Sequence, residues 1–141
     1  MKVSEDDFVK VAGIGASEPA VDVTGTIAGT PVYIAPEVFH SEVYDCKADM
    51  YSLGLILWEM WYGQQAFADI TAKSVDDFFA SVNEGNRPEP VTNCKQPPGR
   101  WDQLMKQCWA KTPEERPTAE KCNQEITDLS KEVIMSLYQF E

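Results

Sequence analysis

Four cysteines, Cys46, Cys94, Cys108 and Cys122, and one histidine, His40, are the side chains best suited to bind a soft metal or to act as a nucleophile with its base. A zinc site needs thiolates or imidazoles gathered at short spacing, and no C-x-x-C pair occurs. His40 has no positioned serine, cysteine or aspartate partner in the sequence and reads as a surface residue. Gly13-Ile14-Gly15 lacks the remaining glycine and the lysine of the loops that cradle phosphates. Trp58, Trp61, Trp101 and Trp109 could line an aromatic binding surface, but their helical spacing suits core packing better. No nucleophilic or metal-binding constellation therefore emerges from residue types alone.

The elements that would position these side chains are mostly helical. Phe8-Val9-Lys10-Val11 is a short strand candidate, broken by Gly13-Ile14-Gly15. Residues Ala16 to Pro31 carry Gly, Pro, Thr and small apolar residues without a helical period, which makes them a loop. Ala35 to His40 allows one short helical turn. From Lys47 to Tyr62 the apolar residues cover nearly the whole circumference, so this helix must be buried on most sides, and Gly63 stops it. Ser74 caps a helix with acids in its first turn that ends near Gly85. Arg87-Pro88-Glu89-Pro90 and Pro97-Pro98-Gly99 are connectors. A helix follows from about Trp101 to Trp109, then a turn at Thr112 to Pro117, then a last helix capped by Thr118.

With 141 residues, 43% of them hydrophobic, the chain can build one compact core. Its net charge of −11 should repel nucleic acid phosphates and anionic membranes, so neither is expected as a partner. A basic protein surface suits it better. No signal peptide is apparent and no apolar run could cross a bilayer. Reduced thiols and a cytoplasmic location follow as expectations, with two disulfides as the alternative.

Gly29-Thr30-Pro31-Val32-Tyr33-Ile34-Ala35-Pro36-Glu37 resembles the end of a protein kinase activation segment, closed by the Ala-Pro-Glu triplet. Asp49-Met50-Tyr51-Ser52-Leu53-Gly54 resembles the start of the central helix of the kinase lower lobe. Trp101, Leu104, Cys108-Trp109, Pro113 and Glu115-Arg116-Pro117 follow in the order of tyrosine-kinase-like families. The similarity runs from about Asp7 to Leu129. Within it, the spacing from Gly15 to Pro31 and the wording Thr26 to Pro31 resemble the dusty family of dual serine/threonine and tyrosine kinases.

The resemblance implies a mainly α fold: a kinase-like C-terminal lobe with a short β element at its N-terminus. It divides the chain into a strand and degenerate metal motif (1–15), an activation segment (16–37) and a helical subdomain (38–141). It implies a substrate loop at Gly29, Thr30, Pro31 and Tyr33. Thr30 would there be an inherited structural hydroxyl or a plain turn residue. It implies a buried ion pair between Glu37 and Arg116. Asp49 would be a buried acceptor for a catalytic loop, and is expected to be exposed or desolvated without that loop; the other reading is a plain helix-start acid. Thr24 and Thr26, with Ser17, are candidates for activation-loop phosphorylation, against a solvated-loop alternative.

The resemblance also shows which motifs this sequence lacks. No H-R-D, no V-A-I-K and no Gly-rich loop occurs, and Gly13 stands where the magnesium-binding Asp belongs. ATP and magnesium are thus expected for an intact parent kinase and no cofactor for this chain alone. Protein substrates or partners would meet the lower-lobe surface, the helix from about Ser74 to Glu84 included. Three readings stay open: part of a larger kinase, a short interaction module of pseudokinase type, or a remnant that folds poorly. The last is raised by the apolar central helix, part of whose face should be exposed.

Overall fold

The computed structural model describes residues 2–3, 9–10, 31–40 and 42–138, with the side chains of 31–40 and 42–132. Two short strands, β1 (Lys2–Val3) and β2 (Val9–Lys10), pair antiparallel with Lys2 opposite Lys10 and Val3 opposite Val9. β2 falls inside the strand expected at Phe8–Val11. Its partner was not foreseen, because two residues carry no readable period.

Among the described residues five α-helices follow: α1 (Pro36–Phe39), α2 (Lys47–Tyr62), α3 (Val75–Asn83), α4 (Gly99–Cys108) and α5 (Ala119–Tyr138). Short 3-10 turns precede α1 at Pro31–Tyr33 and α5 at Pro113–Glu115. Each boundary has a local cause. Pro36 opens α1, where its missing N–H is no loss. Gly63 ends α2 in a left-handed conformation (φ 64°), its N–H on the Glu59 carbonyl at 2.8 Å. The Ser74 hydroxyl accepts the Asp77 N–H at 3.1 Å, and the Thr118 hydroxyl accepts that of Lys121 at 3.2 Å. The expected start of α4 at Trp101 is corrected to Gly99. The Pro98 carbonyl already accepts the Asp102 N–H at 3.0 Å, so the first turn begins two residues earlier.

The core is organised around α2. Tyr51, Leu55, Trp58 and Tyr62 are buried along one face of the helix, with Gly54 and Leu57 buried to one side of it, while the other apolar residues of α2 are only partly covered. Leu104, Met105 and Cys108 of α4 cover one side. The two helices meet at Gly54, where a Cβ would stand 3.0 Å from the Cys108 Cβ and 3.0 Å from the Trp109 nitrogen. On the other side Phe78, Phe79 and Val82 of α3 close the core. Trp58 and Trp109 lie inside it, while Trp61 and Trp101 are half-buried at its edge, with ring centroids 5.7 Å apart. The exposed apolar part of α2 is narrow: Met60 is 65% exposed, with Ile56 half-buried one turn before it.

All four cysteines are free thiols. The Cys108 and Cys122 sulfurs lie 3.6 Å apart, well beyond the roughly 2.05 Å of a disulfide. Burial pushes the Cys108 and Cys122 thiols up, so neither supplies the reactive thiolate near neutral pH. Exposed Cys46 and Cys94 should therefore be the two that a maleimide labels in the native chain, with Cys108 and Cys122 labelled only after denaturation. Mass spectrometry distinguishes the cases, and four fast additions to the folded chain would contradict this packing.

Candidate functional site

The segment Pro31–Glu37 is held from both ends. At its far end lies Glu37, 6% exposed, in the first turn of α1. A carboxylate so placed needs donors, and Arg116 supplies them. Arg116 Nη1 donates to Glu37 Oε1 at 2.6 Å and Nη2 to Oε2 at 2.9 Å, a bidentate fork across 79 positions of sequence. The rest of the guanidinium is also used. Nε donates to the Ala110 carbonyl at 2.9 Å and Nη1 to that of Lys47 at 3.0 Å. The Lys47 ammonium in turn donates to the Arg116 carbonyl. One arginine thus ties together α1, the start of α2 and the chain leaving α4. Two cations approach the ring of Tyr51, Arg116 at 5.3 Å and Arg87 at 5.4 Å from its centroid.

The near end is anchored through Tyr33. Its hydroxyl donates to the Glu59 carboxylate, at 2.9 Å from Oε1 and 3.1 Å from Oε2. Burial, and then the hydrogen bond and charge of Glu59, hold the Tyr33 phenol above its usual range. The Ser52 hydroxyl donates to the Tyr33 carbonyl at 2.7 Å. Glu59 Oε1 also accepts the Ala66 N–H at 2.7 Å, so one carboxylate fixes both the 3-10 turn and the loop after α2. Sequence reading passed over Glu59. Its signal was an acid inside the apolar run Leu55–Tyr62, a place where only a partnered carboxylate is tolerated.

Of the residues expected from sequence, the structure brings Glu37 and Arg116 together, and places Pro31 and Tyr33 in one 3-10 turn. Asp49 is exposed in the first turn of α2, the position of a helix-start acid. His40 is exposed, and its Nε2 accepts the Asn83 side-chain N–H at 2.7 Å, which joins α1 to α3. Gly13, Ser17, Thr24, Thr26, Gly29 and Thr30 lie outside the described residues. Among the described residues, no three His, Cys, Asp or Glu side chains gather as a metal site. No helix among the described residues is long and apolar enough to cross a membrane.

Comparison with known proteins places this arrangement. Residues 2–126 match the family model described as protein tyrosine and serine/threonine kinase. The probable serine/threonine-protein kinase drkB of Dictyostelium discoideum is 40% identical over 121 residues, 85% of this chain and 17% of that protein. The dual serine/threonine and tyrosine protein kinase of Strongylocentrotus purpuratus is 33% identical over 131 residues, 90% of this chain and 13% of that protein. Its namesake from Pimephales promelas is 33% identical over 119 residues, 82% of this chain and 12% of that protein. The chain therefore spans less than a fifth of the length of each of these relatives. Serine/threonine and dual-specificity kinases both stand among its kin. The matched region covers the α1–α4 core, the Glu37–Arg116 fork and most of the sequence expected to be kinase-like, and the chain belongs to the protein tyrosine and serine/threonine kinase family.

Proposed function

We propose that this chain forms the substrate-facing lower half of a protein kinase domain, whose intact parent transfers the γ-phosphate of ATP to hydroxyl groups of proteins. The observation that supports this most is the double anchoring of Pro31–Glu37, by Tyr33 on Glu59 and by Glu37 on Arg116. A segment that receives a substrate must hold its shape before the substrate arrives, and two buried or half-buried carboxylates give it that shape. Gly29 and Thr30 continue this loop in sequence. Thr24 and Thr26 are its candidate phosphorylation sites. Alone, the chain does not catalyse: it has no strand lysine, no catalytic-loop Asp and no Gly-rich loop to orient ATP and magnesium. Its place is the cytoplasm, where the four thiols stay reduced.

Gly13 favours a second reading, a parent of pseudokinase type that binds proteins without transferring phosphate. Its partners would use the lower-lobe surface, α3 included, where Val75 is 48% exposed beside Asp76 and Asp77. A chimera separates the two. Residues Asp7–Leu129 replace the matching stretch of the drkB kinase domain, and transfer from radiolabelled ATP to a general protein substrate is measured. With Gly13 the chimera is expected at background. Gly13→Asp restores a ligand for the metal, whose charge stabilisation is worth several kcal/mol, so activity should rise by about two orders of magnitude or more. Full activity with Gly13 would reject the metal argument. A folded Gly13→Asp chimera that stays silent would reject the substrate-platform reading.

A further inference from the structure

Three sulfur atoms meet where the start of α2, the end of α4 and the start of α5 converge. Cys108 is the last residue of α4, and its sulfur lies 3.6 Å from that of Cys122 in the first turn of α5. The Cys122 sulfur lies 3.9 Å from that of Met50, in the first turn of α2. Cys108 and Cys122 are buried, and of the three residues Met50 alone is partly exposed. Their places are fixed by the packing around them. Gly54 of α2 admits Cys108 so closely that a Cβ on the glycine would stand 3.0 Å from the cysteine Cβ. The Cys122 N–H is held on the Thr118 carbonyl at 3.0 Å.

The separations are those of ligands around one ion. A first-row metal bonds thiolate sulfur at about 2.3 Å, the length found for zinc, and three such sulfurs in a plane then stand about 4.0 Å apart. The observed 3.6 and 3.9 Å reach that spacing by side-chain adjustment alone. A disulfide would need the Cys108 and Cys122 sulfurs to close from 3.6 Å to about 2.05 Å, a larger movement inside a packed core. The donor set selects the ion. Two thiolates and a thioether are soft ligands, which favour copper(I). Zinc needs four ligands, and among the described residues no third His, Cys, Asp or Glu joins the two cysteines. Charge also suits a monovalent ion, because two thiolates around it leave one negative charge to balance. Burial pushes the Cys122 thiol up most, and Glu125 adds to that, but the ammonium groups of Lys121 and Lys47 are close enough to pull it down.

We propose that Cys108, Cys122 and Met50 form a copper(I) site that clamps α2, α4 and α5 together. Both thiols release their protons to solvent as the ion binds, since the thiolate is the ligand. No electron moves, and the copper stays monovalent. The burial that keeps maleimide from Cys108 and Cys122 is no bar to a single ion entering beside Met50. The site uses none of the phosphotransfer machinery, so it stands whether or not Gly13 disables the parent.

The test uses the full chain with the exposed cysteines removed by Cys46→Ser and Cys94→Ser, so that neither competes for metal. Under anaerobic conditions this chain is titrated with copper(I) against the coloured chelator bicinchoninate. One ion per chain is expected, with three sulfurs at about 2.3 Å in its X-ray absorption spectrum. The thermal midpoint should rise with free copper(I), because the ion binds the folded chain. Met50→Leu keeps the volume of the side chain and should weaken copper(I) about tenfold, leaving two sulfurs in the spectrum. Cys122→Ala should weaken it about a hundredfold or more, and zinc should bind the parent chain more weakly than copper(I) by a similar factor. If Cys122→Ala does not fold, the sulfur count and Met50→Leu still decide. Fewer than three sulfurs around the ion, zinc held as tightly as copper(I), or an affinity that Met50→Leu leaves unchanged would overturn the assignment.

Discussion

Arg116→Ala is expected to cost the folded chain about 3–5 kcal/mol, measured by urea unfolding. The size follows from what the guanidinium holds. Both partners are buried, Arg116 at 1% and Glu37 at 6% exposure. Truncating the arginine leaves a carboxylate inside the protein without its cation, and also strands the carbonyls of Ala110 and Lys47. A domain of this size has about 5–15 kcal/mol in total, so the variant should lose a large share of its stability. Arg116→Lys should recover little, because one ammonium cannot reproduce the fork and the lateral bonds together. Exchanging both partners for apolar residues, Glu37→Leu with Arg116→Met, should recover much of the loss, since it removes the stranded charge. A single-variant loss below about 1 kcal/mol is what a solvated surface pair would give, and would contradict the buried fork.

Phe79→Ala is expected to cost a comparable amount, about 3–5 kcal/mol. Phe79 is fully buried in α3. It stacks on Phe39 of α1 with centroids 3.8 Å apart and planes 9° apart, and meets Phe78 edge-on at 5.2 Å. Alanine would leave a cavity on both sides, and Phe39 would lose its contact with α3. Since α1 is only one turn long, that contact, Glu37 and the His40–Asn83 hydrogen bond together hold it in place. The variant should therefore loosen the anchored segment as well as the core, seen as faster hydrogen exchange at Val38 and Phe39. Phe79→Leu should lose less, because it refills most of the volume. A cost near zero for Phe79→Ala would mean that α3 does not pack where the structure places it.

How far the sequence could be read depended on the reach of each interaction. The bounds of α2 are local: an apolar circumference from Lys47 to Tyr62 and a glycine that can turn left-handed at 63. The start of α3 is local too, set by the Ser74 hydroxyl. The family is legible because Ala35-Pro36-Glu37 and Glu115-Arg116-Pro117 each keep their own wording. Long-range pairings outside those motifs are not legible. Nothing near Glu59 in sequence announces Tyr33, 26 positions earlier, or the Ala66 amide. The pairing of Lys2–Val3 was hidden for another reason, being too short to carry a pattern. Asp49 is exposed at the head of α2, a place that suits both a helix-start acid and a motif aspartate without its catalytic loop, so its position does not separate the two readings.

On the function proposed above, this chain carries a preformed substrate-side platform and holds no nucleotide by itself. Isothermal titration of the folded chain with magnesium-ATP tests it most directly. Only heats of dilution are expected up to millimolar nucleotide, with the fold confirmed in the same sample by its unfolding transition. A saturable one-to-one isotherm, lost when the chain is unfolded, would contradict it.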